Sequence, residues 1–181
     1  MRRIAFRMLP LLCLALAACG AGGSGSHVGH YVGGSAAVEC APFARALTGV
    51  SLSGDAADWW RQAAGRYPRA QKPEVGSLLV LRRSGRLPSG HVAVVSGVLS
   101  QREIMVTQAN WVHHRVTEDQ PVIDVSENGD WSMVRMWWPP SGQMGASVYP
   151  AFGFIRPDHP AGHDRLTAAT PAAVRMAESG W

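Results

Sequence analysis

The sequence predicts an α+β domain, in which two N-terminal helices pack on a small antiparallel β-sheet. Three observations predict it. Apolar residues recur at helical spacing in 40–47 and again in 56–65. Beyond residue 76 the period switches to that of short strands. Helices first and strands afterwards, without alternation, is the order of an α+β chain.

In the first helix, Phe43, Ala44 and Leu47 share one face, and Gly49 is a natural stop. In the second, Asp55 stands at the N-cap position, and Trp59, Trp60 and Ala63 are apolar. Residues 68–73 begin and end on proline and read as a loop. Strands follow at 77–81, 91–95 and 103–111, with shorter ones at 121–126, 132–138 and 152–156. Arg82, Arg83 and Arg86 lie in a basic turn between the first two strands. Trp59-Trp60 and Trp137-Trp138 read as core and groove wall, and Asp124 and Asp130 as turn caps. Residues 157–181 read as a flexible Ala/Pro-containing tail, with 172–179 able to form a short helix.

The N-terminus belongs to targeting. Arg2, Arg3 and Arg7 precede an apolar run that is long enough for a secretory signal and short for a membrane span. The run ends in Leu16-Ala17-Ala18-Cys19, which resembles a bacterial lipobox. The resemblance implies a signal peptide at 1–18 and a diacylglycerol on Cys19. With Gly20 next, it implies a periplasmic protein anchored at the outer membrane. Residues 19–36 read as a Gly/Ser-rich tether of roughly 20–25 Å reach, which leaves 37–156 as the domain.

Removing the signal changes the charge. Three of the 17 basic residues leave with it, so 14 stand against 13 acidic ones, a net charge of +1. A nearly neutral protein is not built to bind nucleic acid. Cys13 leaves as well and Cys19 is blocked, so Cys40 has no disulfide partner within the chain. A lone thiol in an oxidising compartment is either buried and inert or kept for its reactivity.

Cys40 stands at a helix start, where unpaired N–H groups and the helix dipole stabilise a thiolate and lower its pKa. His91 follows Gly90 and opens an apolar strand, within reach of a neighbouring helix N-terminus as a general base. In Val106-Thr107-Gln108-Ala109-Asn110-Trp111, strand alternation puts Gln108 and Asn110 on one face. Either amide can accept from an imidazole N–H and fix its tautomer. His113, His114 and the scattered His27, His30, His159 and His163 show no metal-ligand spacing.

Cys40, Gly90-His91 and the polar strand residues, in this order, resemble the CHAP domain (cysteine, histidine-dependent amidohydrolase/peptidase). So do the flanking Cys40-Ala41-Pro42-Phe43-Ala44-Arg45, Gly90-His91-Val92-Ala93-Val94-Val95 and Val106-Thr107-Gln108-Ala109-Asn110-Trp111. The resemblance runs from about Val38 to Ile155. It implies a papain-like fold and hydrolysis of amide bonds in peptidoglycan without a cofactor or a metal. Cys40 would be the nucleophile and His91 its base, with Gln108 or Asn110 as orienter. Glu39 and Trp111 are the groove or oxyanion candidates. Two departures stand out. Gln108 falls where many relatives carry Glu, so the charge that steadies an imidazolium is missing. Glu39 falls where many carry Gln, and an ionised carboxylate repels an oxyanion. These departures motivate the alternative of a non-catalytic, wall-binding surface lipoprotein with the same fold. A third reading is an amidase for a small substrate.

Overall fold

The computed structural model describes residues 29–35 and 37–179. The signal segment, Cys13, Cys19 and most of the tether lie outside the described residues. Six strands close on themselves. They are β3 (Leu78–Leu81), β4 (His91–Ser100), β5 (Glu103–Ala109), β6 (Val116–Asp124), β7 (Met133–Trp138) and β9 (Tyr149–Ile155). Neighbours pair antiparallel in the order 3-4-5-6-7-9, and β9 returns to β3. β1 (Tyr31–Gly33) extends the sheet from β6, β2 (Arg69–Ala70) pairs with β9, and β8 (Gln143–Met144) pairs with β7.

This corrects the expected fold class. The molecule is mostly β: a closed six-stranded antiparallel barrel with extra strands and three helices, not helices packed on a small sheet. The helical signal at 56–65 yields only a 3-10 turn at Ala56–Asp58 and a short α2 (Trp59–Gln62). Asp55 stands at the N-cap position of the 3-10 turn as expected, but its side chain makes no capping hydrogen bond; its carboxylate and that of Asp58 pair with Arg83 at 2.9 and 2.8 Å. Several strands are longer than expected, and closure removes the edges that an open sheet would expose.

Closure produces two cores. Leu79, Leu81, Ala93, Val95, Ile104, Val106 and Phe154 point into the barrel. Leu78, Val80, Val92, Val94 and Ile155 point outward onto the helices. Both faces of β3 and β4 are thus buried, which is why Leu78-Leu79-Val80-Leu81 and Val92-Ala93-Val94-Val95 read as unbroken apolar runs.

Helix α1 (Cys40–Thr48) covers the outer face with Phe43, Ala44 and Leu47, and stops at Gly49 in the left-handed region (φ 74°). Each large side chain buried this way contributes about 1.5–3 kcal/mol. Beside it lies α3 (His163–Ser179), whose buried Leu166, Thr170, Ala173, Val174 and Ala177 recur at helical spacing. The expected flexible tail is therefore mostly a docked helix. Its period was diluted by alanines and by the internal Pro171. The tether also contributes structure. Tyr31 and Gly33 pair with β6, and a Cβ on Gly33 would come within 3.3 Å of Val174.

One surface ladder ties α2 to the barrel. Arg69 lies over Trp60, Trp60 stacks on Phe152 at 5.7 Å, and Arg82 lies 4.2 Å over Phe152. Two residues of the basic turn are therefore engaged, Arg82 here and Arg83 with its carboxylates.

Candidate functional site

The site forms where the start of α1 meets the start of β4. Glu39 is extended (φ −119°, ψ 154°), and the helix begins at Cys40, a free thiol. Its sulfur is in reach of the backbone N–H groups of Val92, Ala41 and Cys40 itself. The approach of β4 depends on Gly90, which is left-handed (φ 71°). A Cβ there would lie 2.6 Å from both the Ala57 Cβ and the Leu81 carbonyl oxygen.

His91 is 3% exposed and shares its side of β4 with Ala93 and Val95, so it sits at the barrel mouth. Its Nε2 lies 2.9 Å from Gln108 Oε1. The amide oxygen accepts, so Nε2 carries the proton and Nδ1 is left as an acceptor. The ring also packs on Trp111, with centroids 5.2 Å apart. Trp111 also meets Tyr149 in a T-shaped contact with centroids 5.1 Å apart, and its N–H donates to the Trp137 carbonyl at 3.0 Å. Gln108 is 1% exposed, and its Nε2 has no hydrogen-bond partner among the described residues.

Gln108 and Asn110 do not act as a same-face pair. β5 ends at Ala109, and Asn110 turns into the left-handed region (φ 57°). Its Nδ2 donates to Glu39 Oε2 at 2.6 Å, while its Oδ1 accepts from the His114 N–H at 2.8 Å. Of the two amides, Gln108 touches the imidazole and Asn110 holds the Glu39 carboxylate. Tyr149 is a neighbour that no sequence signal revealed. It lies far along the chain and reaches the site only because β9 closes the barrel.

The protonation states differ from the expectation of a depressed thiol pKa. Burial pushes Cys40 up to about 11; the N–H of Val92 opposes this, and the charge of Glu39 adds to it. Although the residue keeps some exposed surface, the surroundings of the sulfur are dense with protein, and desolvation outweighs the helix terminus. Burial also lowers His91 to about 4, against the opposing effect of the hydrogen bond it donates to Gln108. At neutral pH the resting pair is a thiol and a neutral imidazole, and no hydrogen bond joins them. Such a pair can still act if the ring takes the proton as the sulfur attacks.

A stability test follows from the histidine. Its folded pKa lies below the unfolded value, so the unfolded chain binds the extra proton first as pH falls. The stabilisation is full above pH 6.5 and is lost between there and pH 4. The loss is roughly 3 kcal/mol. Denaturant melts at pH 7.5 and 4.5 should show it, and His91→Gln should show a smaller difference.

Beyond Trp111 lies a cavity of about 280 Å³, walled also by Arg86, Met136, Trp138 and Tyr149. Among the described residues, no group of three or more His, Cys, Asp or Glu side chains is arranged to hold a metal ion. No curated protein matches the chain. Over residues 21–110, just short of half its length and including Cys40, His91, Gln108 and Asn110, the chain matches the family model of the CHAP domain; the match supports a CHAP domain here and, with it, a function of the general peptidoglycan-hydrolase type.

Proposed function

We propose that this protein is a cysteine hydrolase that cleaves amide bonds in peptidoglycan. The bond is either a peptide bond of the stem or cross-link, or the bond joining the stem to N-acetylmuramic acid. The observation that carries this reading is the 2.9 Å contact between His91 Nε2 and Gln108 Oε1. It leaves Nδ1 free to accept a proton, on the residue next to the Val92 whose N–H reaches the thiol.

In the proposed reaction, substrate brings Sγ and Nδ1 together. His91 takes the thiol proton while Sγ attacks the carbonyl carbon. The tetrahedral intermediate collapses, and the imidazolium gives its proton to the departing amine. The resulting thioester is attacked by a water that His91 deprotonates, which releases the acid and restores the thiol. Because Gln108 is neutral, the imidazolium exists only transiently. The resemblance at 16–19 supports secretion and a lipid anchor on Cys19, which would hold the domain against the wall from the outer membrane.

The raised thiol pKa and the Glu39 charge beside it favour a second reading, a wall-binding protein without catalysis. Incubation with purified sacculi separates the two. A hydrolase should release muropeptides with new amine and carboxylate ends, identified by mass spectrometry. Co-sedimentation with sacculi that stay intact would favour the binding protein.

A further inference from the structure

The cavity beyond Trp111 combines aromatic walls with one cation. Its lining contains no acidic side chain. The three arginines of the turn after β3 differ in their engagement. Arg82 donates to the Ala151 carbonyl at 3.0 Å and lies over Phe152, and Arg83 pairs with Asp55 and Asp58. Arg86 lies at the exposed tip of the turn, where Ser84 and Leu87 form a bridge, and it has no partner among the described residues. Arg86 lines the cavity together with Trp111, Trp138 and Tyr149, and Trp138 is 40% exposed.

We infer that this cavity is a substrate subsite in which Arg86 binds a free carboxylate on the peptide arm next to the scissile amide. This rests on the hydrolase reading above, because it takes the cavity's occupant to be continuous with the bond being cut. The continuity is physical: one wall of the cavity is the same indole on which the His91 ring packs. A planar guanidinium without an internal partner presents paired N–H donors that match a carboxylate. The indoles and the tyrosine ring offer apolar surface to the aliphatic part of the same residue. At about 280 Å³ the space admits a short piece of peptide rather than a glycan chain.

Binding to full-length Cys40→Ala protein tests this without turnover. The probes are a synthetic stem peptide with free carboxylates and the same peptide with them amidated, titrated calorimetrically. The free acid should bind about tenfold more tightly. Arg86→Gln in the same background should abolish that preference, whereas Arg83→Gln, which removes an equal charge from the same turn, should retain it. Equal affinity for both peptides, a preference that survives Arg86→Gln, or no binding of either peptide overturns the subsite. Intact sacculi in the digestion experiment would defeat the hydrolase reading instead, so the two failures are distinguishable.

Discussion

Cys40→Ala is expected to lower amide hydrolysis in sacculi by at least about 10³-fold, and His91→Ala to do the same. The double variant should be no worse than either single one. The reason is that thiol and imidazole are neutral at rest, with Cys40 pushed up to about 11 and His91 down to about 4. Neither does chemistry alone. Without the ring, the thiol holds a proton that neutral solution does not remove. Without the sulfur, the ring has nothing to activate. Groups that act as one unit give strongly non-additive losses. Release of muropeptides, quantified by chromatography, provides the measurement; full additivity would mean that the two side chains serve separate steps. Gln108→Glu should move the system the other way. A carboxylate beside Nε2 favours the imidazolium, which in turn favours the thiolate. Alkylation of Cys40 by iodoacetamide at pH 7 should then be faster by about tenfold or more.

Trp131→Ala is expected to destabilise the protein by about 4 kcal/mol, within the usual range for emptying a large aromatic site. The melting temperature should fall by roughly 10 °C. Trp131 is 1% exposed inside the barrel and meets Phe154 edge-on, with centroids 5.5 Å apart. No single helix or strand could close over the space left behind, because the barrel wall is tied into a ring by its own hydrogen bonds. The tryptophan is also held at an unusual backbone angle (φ 62°). The turn before it explains how. Asp130 Oδ1 accepts from the Ser132 N–H at 3.0 Å, and Asp124 Oδ1 accepts from the Ser126 N–H at 2.8 Å. Trp138→Ala, at an exposed position, should cost far less. Calorimetric melts of the two variants compare them directly, and equal losses would mean that Trp131 does not fill the barrel.

Much of the site could be read from the chain because its signals are local. A thiol at a helix start, a glycine before a histidine and polar residues ending a strand occupy short windows. Gly90 illustrates this: it stands directly before the histidine in the chain, and a Cβ there would make short contacts with Ala57 and Leu81. Asn110 illustrates the limit. Alternation placed it beside Gln108, but alternation holds only while the strand continues, and β5 ends one residue earlier. The fold class departs from the expectation for a similar reason. The apolar runs of β3 and β4 marked strands, yet nothing in them shows that Leu78 pairs with Ile155 or that β6 pairs with β7 to complete a ring.

By itself the sequence determined the helix–strand order around the site and the chemical groups available there. It also marked the apolar segments that avoid water. Only the tertiary structure decided that the strands close into a barrel, that Gln108 rather than Asn110 reaches the imidazole, and that thiol and ring rest uncharged. The physical reason is one of range. Periodicity records how a segment meets its immediate surroundings, whereas strand partners and pKa values depend on everything that folding brings near, from any distance along the chain.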